Sequence, residues 1–545
     1  MFALIVHWID SVLRLPVRFS SSSRNVSFFA LVAAFGGFVF GLDAANISGA
    51  LRFVSAEFEL DSIQQGTLVG CALLGVILAL FFTGSFCEKC GRARVLLAIG
   101  FIYSLSSLLS AFAVSYGMLL VGRFIGGVAF ASITVSAMYI GEIAPAHQRG
   151  KFVSINQFMI GLGLLCAFVI NYFLVKSLPT ATWLTNDNIW RVMLGAELIA
   201  NAIWVGLILC IPESPRWLAK KGRDEEALFV FEIIAPVEKA KLLLEDVKNS
   251  LSSDNELNSL SQLKALFGPG LRFVLFIAVA YAFVQGATGM NAVLFFAPMV
   301  FEQVGMSVED TFMQTISTGA VGLAATFVAI GFVEKLGRRT LTIAGLLLVV
   351  IAHGSTFLGF KQASYEFNDT AIKQLTAYFQ QNDLPVASLA SFAGKSFDTD
   401  VALKTELTKH FDKKTLPLVS GTIIEKTIID VNASLVLFGI FAFLAAFNLS
   451  IGPIMWVIFS EIFPNKVRSV ALPFAALVQT ISSWSIQQFF PWQLDNMGVA
   501  NIFLLYAGIG LFGLVIMYLY LPETKGKTIE ELELELTNQN SMEAK

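Results

Sequence analysis

The sequence predicts an all-α polytopic membrane protein: twelve transmembrane helices arranged as two pseudo-symmetric halves of six. Three observations predict it. Of 545 residues, 56% are hydrophobic and only 14% charged, where a soluble protein carries about a quarter charged. With 50 Phe and a mean hydropathy of +0.71, that apolar surface exceeds what one aqueous core can hide. The apolar stretches are mostly long enough to cross a bilayer, which takes ~20 residues each, and they are continuous instead of alternating, unlike the strands of a membrane barrel. Finally, the chain repeats itself. GSFCEKCGRAR at 84–94 returns as GFVEKLGRR at 331–339, EIAPAHQR at 142–149 as EIFPNKVR at 461–468, and PESPR at 212–216 as PETK at 522–525. Each charged block ends an apolar run, in the same order in both halves, the mark of a duplicated transporter architecture.

Taken in order, residues 1–25 form an amphipathic segment with Arg14, Arg18 and Arg24. It lacks a small-residue cleavage site and reads as a cytoplasmic segment lying on the membrane, not as a removed signal peptide. The first half, 26–211, holds spans at 26–51, 63–86, 94–114, 117–140, 152–175 and 190–211. Residues 212–270 are rich in Lys, Glu, Asp and Ser and predict a cytoplasmic helical linker, with helices at 224–235 and 237–251. The second half, 271–521, holds spans at 271–299, 312–334, 340–360, 431–460, 470–491 and 499–521, followed by a cytoplasmic tail at 522–545. A polar insert at 361–430 interrupts it, with 401–411 patterned as a short amphipathic helix. An insert of this length usually has its own structure or function; a lid or docking role and a tolerated insertion with no part in transport both fit it. Lys and Arg gather in every second connection, which puts the repeated motifs and both termini on the cytoplasmic side and the insert outside. The expected location is therefore the cell membrane, a bacterial inner or plasma membrane, crossed many times.

Charges inside spans narrow the chemistry. Asp43 lies deep in the first span and Arg123 a few residues into the fourth. Each costs several kcal/mol in hydrocarbon unless paired or hydrated. The two spans run in opposite directions, and at 1.5 Å per residue both residues reach a similar depth in the outer half, so an ion pair is expected. A carboxylate that alternates between Arg pairing and protonation can couple a proton to a conformational change; a static structural pair is the plainer alternative. At the cytoplasmic ends, Glu88, Arg92, Glu142, Arg149, Glu334, Arg338, Glu461 and Arg468 are expected to form a gate whose charges pair across the two halves when that side closes. Topology alone needs only Lys and Arg, so the repeated Glu positions ask for more. The Gly-rich first, fourth and fifth spans predict close helix packing. Gln157, Gln285, Thr288, Asn291, Gln479 and Trp456 mark a polar path through the spans. Their amides donate and accept, as a hydroxyl-rich ligand requires, and an aromatic face can stack on a sugar ring. The five cysteines predict no disulfide framework; the Cys87 and Cys90 pair stands alone and sits inside a repeated motif, against a metal or redox role.

The chain resembles the sugar porter branch of the major facilitator superfamily. The residues that carry the resemblance are Phe40-Gly-Leu-Asp43 with Ile47-Ser-Gly49, Gly122-Arg123, Glu142-Ile-Ala-Pro with Arg149-Gly150, Asn156-Gln157 and Pro212-Glu-Ser-Pro-Arg-Trp-Leu218. The second half adds Gly289-Met-Asn291, Gly337-Arg-Arg339, Gly452-Pro-Ile-Met-Trp456, Glu461-Ile-Phe-Pro464 and Pro522-Glu-Thr-Lys-Gly526. Only 1–25 and 361–430 fall outside it. The resemblance implies alternating access with a sugar held between the two halves. It carries a sugar-contact role onto Phe40, Gln157, Gln285, Asn291, Trp456 and Gln479, and a proton-coupling role onto Asp43 with Arg123 as partner. The chain departs from the family pattern at Gly286, Phe295-Phe296, Gly322 and Leu164, where amides or hydroxyls are usual, and at Thr480, where a Trp is usual. Each lost amide removes a hydrogen bond worth about 0.5–1.5 kcal/mol. Two of the replacements are Gly, which predicts a wider pocket and a ligand other than plain glucose, or glucose in another pose: a polyol such as inositol, a pentose, a substituted sugar or a disaccharide.

The leading reading is thus a proton-coupled sugar or polyol symporter. Its partners are the sugar, a proton and the lipid bilayer; no cofactor, metal or nucleic acid is called for, and a monomer is expected. A passive facilitator is the alternative within the class, and a nutrient receptor without flux the alternative outside it, though receptors rely on longer cytoplasmic tails. No nucleophile–base set or metal cluster suggests an enzyme.

Overall fold

The computed structural model describes residues 23–145, 149–252, 259–382, 384–525, 527 and 531–532. The expected membrane-surface segment at 1–25 and the tail at 522–545 therefore lie mostly outside the described residues. Among those described, twelve helical spans are long and apolar enough to cross a membrane. They run Asn25–Glu57, Ser62–Cys90, Arg92–Ala111, Tyr116–Ile143, Ser154–Ser177 and Ile189–Ile208, then Pro269–Phe295, Val308–Ala329, Arg338–Phe360, Ala433–Ile462, Lys466–Asn496 and Val499–Tyr520. Every expected span has its counterpart. Helices start where the local chemistry caps them: Ser115, Ser307 and Asn432 each accept a backbone N–H from the first turn they precede, satisfying a donor the helix cannot.

Several spans are not single helices. The fourth breaks between Tyr116–Ala129 and Ser132–Ile143, and the sixth between Ile189–Gly195 and Glu197–Ile208. The seventh breaks between Arg272–Ala287 and Met290–Phe295, and the tenth between Ala433–Leu449 and Ile451–Ile462. Hydropathy averaged over a span does not register such breaks, because one or two polar residues such as Thr288 or Ser450 are diluted by the apolar ones around them.

The chain divides into two compact units that share some helices. One gathers residues 1–44, 72–167 and 194–258; the other gathers 45–71, 168–193 and 259–545. In the first unit, Phe29, Leu97, Tyr103, Tyr139 and Trp204 are fully buried in one core, and the Trp204 indole N–H donates to Val32 O at 2.9 Å. A Cβ added at Gly41 would collide with the Ile160 carbonyl, and one at Gly75 with that of Phe124. Backbone meets backbone there, the close packing expected of small residues. The linker forms helices Asp224–Ile234 and Val237–Ser252, close to expectation, with Pro215–Lys220 before them. These helices bury Trp217, Leu218 and Val230 among themselves.

In the second unit the insert is a folded layer. Strand Ser364–Glu366 pairs antiparallel with Ser396–Phe397 on one side and Ile428–Ile429 on the other. Helices Asp369–Gln381, Asp400–His410 and Leu416–Thr427 cover it, and Phe367, Leu375, Phe379, Phe392, Leu407 and Ile423 make its own core. The expected 401–411 helix is Asp400–His410. The layer is tied to the spans. Asp400 accepts the Val499 N–H at 3.1 Å where the twelfth span begins, and Lys404 donates to Leu494 O at 3.2 Å at the end of the eleventh. Arg52, near the end of the first span, pairs with Glu302 at 2.8 Å and donates to Leu418 O in the insert.

Candidate functional site

The repeated motifs build the same device twice. In the first unit Glu213 sits at the start of helix Arg92–Ala111. It accepts the backbone N–H groups of Arg92 at 2.7 Å, Ala93 at 3.0 Å and Ser214 at 2.9 Å. A carboxylate suits that position, where unpaired N–H groups and the helix dipole favour negative charge. Burial nonetheless pushes the Glu213 carboxyl above its ordinary range, opposed by those backbone bonds. Glu142 accepts from Arg92 Nε at 3.1 Å and from the Ser214 hydroxyl. In the second unit Glu523 takes the N–H groups of Arg338 at 2.9 Å and Arg339 at 3.2 Å. Glu461 meets Arg338 Nη2 at 3.0 Å and the Thr524 hydroxyl at 2.5 Å. The glycines of the motif follow from this. Gly91 lies at φ 96°, ψ 165° and Gly337 at φ 86°, ψ 153°, a region open essentially to Gly alone. A Cβ at either would run into the Glu213 or Glu523 carboxylate.

This wiring revises the gate expectation. Arg92–Glu142 and Arg338–Glu461 are pairs inside a unit, because the loop geometry brings each Arg onto the Glu of its own half. Glu88 pairs with Lys220 at 2.7 Å and more loosely with Arg92 at 3.5 Å. Arg468 donates to Phe463 O at 2.9 Å. The side chains of Arg149 and Glu334 lie outside the described residues. Glu213 and Glu523 were missed as working residues, although the repeated Pro-Glu-Ser and Pro-Glu-Thr blocks already signalled them.

Deeper in the first unit, Arg123 Nη1 meets Asp43 Oδ1 at 2.7 Å, with side chains 3% and 5% exposed, and also reaches Asp43 O at 3.3 Å. A third charge joins them. Glu197, at the break in the sixth span and 2% exposed, interacts with Asp43, Arg123 and Ser107. The sequence held the signal, an acid inside an apolar span, the same that singled out Asp43. The guanidinium is bonded to Asp43, with Glu197 close enough to interact with both charges, and Asp43 Oδ2 and Glu197 Oε2 are both buried without a hydrogen-bond partner.

The polar path residues divide between the units. In the first, Gln157 is exposed. Phe40 packs edge-on against Phe130, centroids 4.4 Å apart, at the margin of the core, so its ring has a packing role whatever else it touches. In the second, Gln285, Asn291 and Gln479 are half-buried and Trp456 is 45% exposed. Gln479 donates to Ser483 Oγ at 3.0 Å, whereas Gln285 Oε1 is buried with no partner, an acceptor left open. The expected widening is not found at Gly286. A Cβ at Gly286 would lie 2.6 Å from Gln479 O and 2.9 Å from Ser482 Cβ, so this glycine lets the seventh and eleventh spans touch and sets Gln285 beside Gln479. At Gly322 the nearest atom to an added Cβ is the Asn448 amide nitrogen, 3.5 Å away, so an amide from the tenth span borders that space.

Comparison with known proteins agrees with this architecture. The family model described as "Sugar (and other) transporter" matches residues 29–378 and 415–536, leaving out the middle of the insert. The arabinose-proton symporter of Bacillus subtilis is 30% identical over 519 residues, covering 95% of this chain and 96% of that protein. The D-xylose-proton symporter of Escherichia coli is 30% identical over 545 aligned positions, covering 94% and 96%. Among solved structures, the inward-open xylose transporter XylE from E. coli superposes with a TM-score of 0.71 at 28% identity, covering 93% of this chain and 98% of that one.

Proposed function

The chain belongs to the sugar transporter family of the major facilitator superfamily, and from that premise we propose that it imports a sugar or polyol by alternating access, coupled to a proton through Asp43. The observation that carries the coupling is the buried cluster of two carboxyls and one guanidinium. Like charges held together in a dry site resist ionising at once, and the open oxygens Asp43 Oδ2 and Glu197 Oε2 are where one proton satisfies both. Its arrival weakens the hold of Asp43 on Arg123, and its departure restores it, so the state of the pair reports the state of the proton. A static pair would need only one acid.

Gln157, Gln285, Asn291 and Gln479 supply the hydrogen bonds to ligand hydroxyls and Trp456 an apolar face, with Phe40 lining the path. The open acceptor on Gln285 favours a hydroxyl donor. The relatives named for arabinose and xylose favour a pentose. The transporter works as a monomer in a bacterial plasma membrane with the repeated motifs and both termini in the cytoplasm.

The test is uptake into proteoliposomes with an inward proton gradient, using D-xylose, L-arabinose, D-glucose and myo-inositol. At least one should accumulate, and Asp43→Asn should abolish accumulation while leaving exchange of labelled for unlabelled sugar. Equal accumulation by Asp43→Asn would remove Asp43 from the coupling, and equilibration without accumulation by the wild type would leave a facilitator as the correct reading. Ordinary micromolar glucose uptake blocked by Gln285→Ala would overturn the preference for another ligand.

A further inference from the structure

The break in the seventh span has a cost that one buried residue meets. Helix Arg272–Ala287 stops at Thr288, Gly289 turns the chain at φ 89°, ψ 9°, and helix Met290–Phe295 resumes. A broken helix leaves carbonyls without their N–H partners. Within a membrane no solvent shell replaces them, and neighbouring helices must do so. The Thr288 hydroxyl donates to Gln285 O at 3.3 Å. Thr288 O faces His353 Nε2 of the ninth span at 3.0 Å. A carbonyl only accepts, so the proton is on Nε2.

His353 is fully buried, and its Nδ1 has no partner. The ring lies 4.1 Å from that of Phe443 and 5.7 Å from those of Phe503 and Tyr506, centroid to centroid. A polar ring sealed among aromatics is expensive in a membrane core; here it meets the end of a helix, where the dipole leaves carbonyls in need of a donor. The other side of the break is closed by Tyr506, whose ring would be 2.5 Å from a Cβ at Gly289.

We propose that His353 is a positioning residue: by holding Thr288 O it fixes the angle of the break, and with it the relative placement of Gln285, three residues before, and Asn291, three residues after. The ligand half of this proposal rests on the transport reading above. Its backbone half does not.

The experiment compares His353→Phe, which keeps an aromatic ring without the donor, with His353→Gln, whose amide N–H can reach the same carbonyl. Hydrogen exchange on the purified full-length protein should show amides 289–293 exchanging about tenfold faster in His353→Phe, with the other spans unchanged, and near-normal rates in His353→Gln. In proteoliposomes, the KM for whichever of D-xylose, L-arabinose, D-glucose or myo-inositol the wild type carries should rise about tenfold in His353→Phe, the scale of one orphaned buried acceptor. The maximal rate should stay within about twofold, and Gln should recover the KM. Faster exchange throughout the bundle with Gln no better than Phe, or exchange and KM both unchanged in Phe, overturns the proposal. A wild type that carries none of the four sugars overturns the transport reading and the ligand half together, while the exchange result still decides the backbone half.

Discussion

The three-charge cluster makes an unusual prediction about which deletions hurt. Arg123 meets Asp43 at 2.7 Å and Glu197 flanks both. Asp43→Asn leaves one guanidinium with one carboxyl, and so does Glu197→Gln. Each single change keeps a matched pair, so each should cost less than about 1 kcal/mol, well short of the ~3–5 kcal/mol of a stranded buried charge. Arg123→Met strands two carboxyls and the double variant Asp43→Asn/Glu197→Gln strands the guanidinium; each should cost the full ~3–5 kcal/mol. The double should therefore exceed the sum of its singles by more than the ~0.3–0.5 kcal/mol seen between independent sites. Thermal unfolding in detergent micelles ranks the four variants. The deficit of Arg123→Met should shrink on acidification, because protons neutralise its carboxyls, whereas that of the double variant should not. If Asp43→Asn is as damaging as Arg123→Met, or the double is additive, Glu197 is not a second counter-charge and the coupling argument fails.

Gly91→Ala and Gly337→Ala should each cost about 1–3 kcal/mol, because both glycines sit at positive φ with a carboxylate where the Cβ would go; reduced melting temperature and folded yield would check it, and unchanged melting would refute it. Arg52→Ala should free the insert from the end of the first span, losing charge-assisted bonds of about 1.5–3 kcal/mol each. Limited proteolysis within 361–430 should quicken, and proteolysis at the wild-type rate would contradict the contact. Glu406, bonded to Lys409 at 2.9 Å and Lys395 at 3.0 Å, has its carboxyl pulled down to about 2 by those bonds, from an ordinary 4.5. A depressed folded value stabilises above the ordinary one and is lost as pH falls toward 2. Hydrogen-exchange protection of the insert should thus decline between pH 4.5 and 2, and decline less in Glu406→Gln.

The spans were legible because hydropathy is a property of local composition, and so was the meeting of Asp43 with Arg123, since depth follows from rise per residue. What stayed hidden depends on which neighbour arrives from elsewhere in the chain. The repeated Arg and Glu positions were visible, but not that Arg92 and Arg338 turn to the Glu of their own half. Gly286 read as missing volume, whereas it is a point of backbone contact with the eleventh span. Glu197 carried the same mark as Asp43 and was passed over, one acid in an otherwise apolar stretch. The strands of the insert are two or three residues long, too short for any alternation to show, although the helix at 400–410 could be read. The break at Thr288 leaves no trace in hydropathy; only Gly289 hinted at it.

The insert enters and leaves the membrane-spanning hairpin at one point. Asn432 N donates to Gly359 O at 3.1 Å, so the ends of the intervening segment are a single hydrogen bond apart. A module whose two ends nearly touch can be cut out and its gap bridged by a tight turn, or exchanged for another domain, without restringing the helices on either side. The ninth and tenth spans are in this sense a socket. Within the insert the family model skips only 379–414, and a transporter stripped back to that hairpin is a direct way to ask what the insert adds.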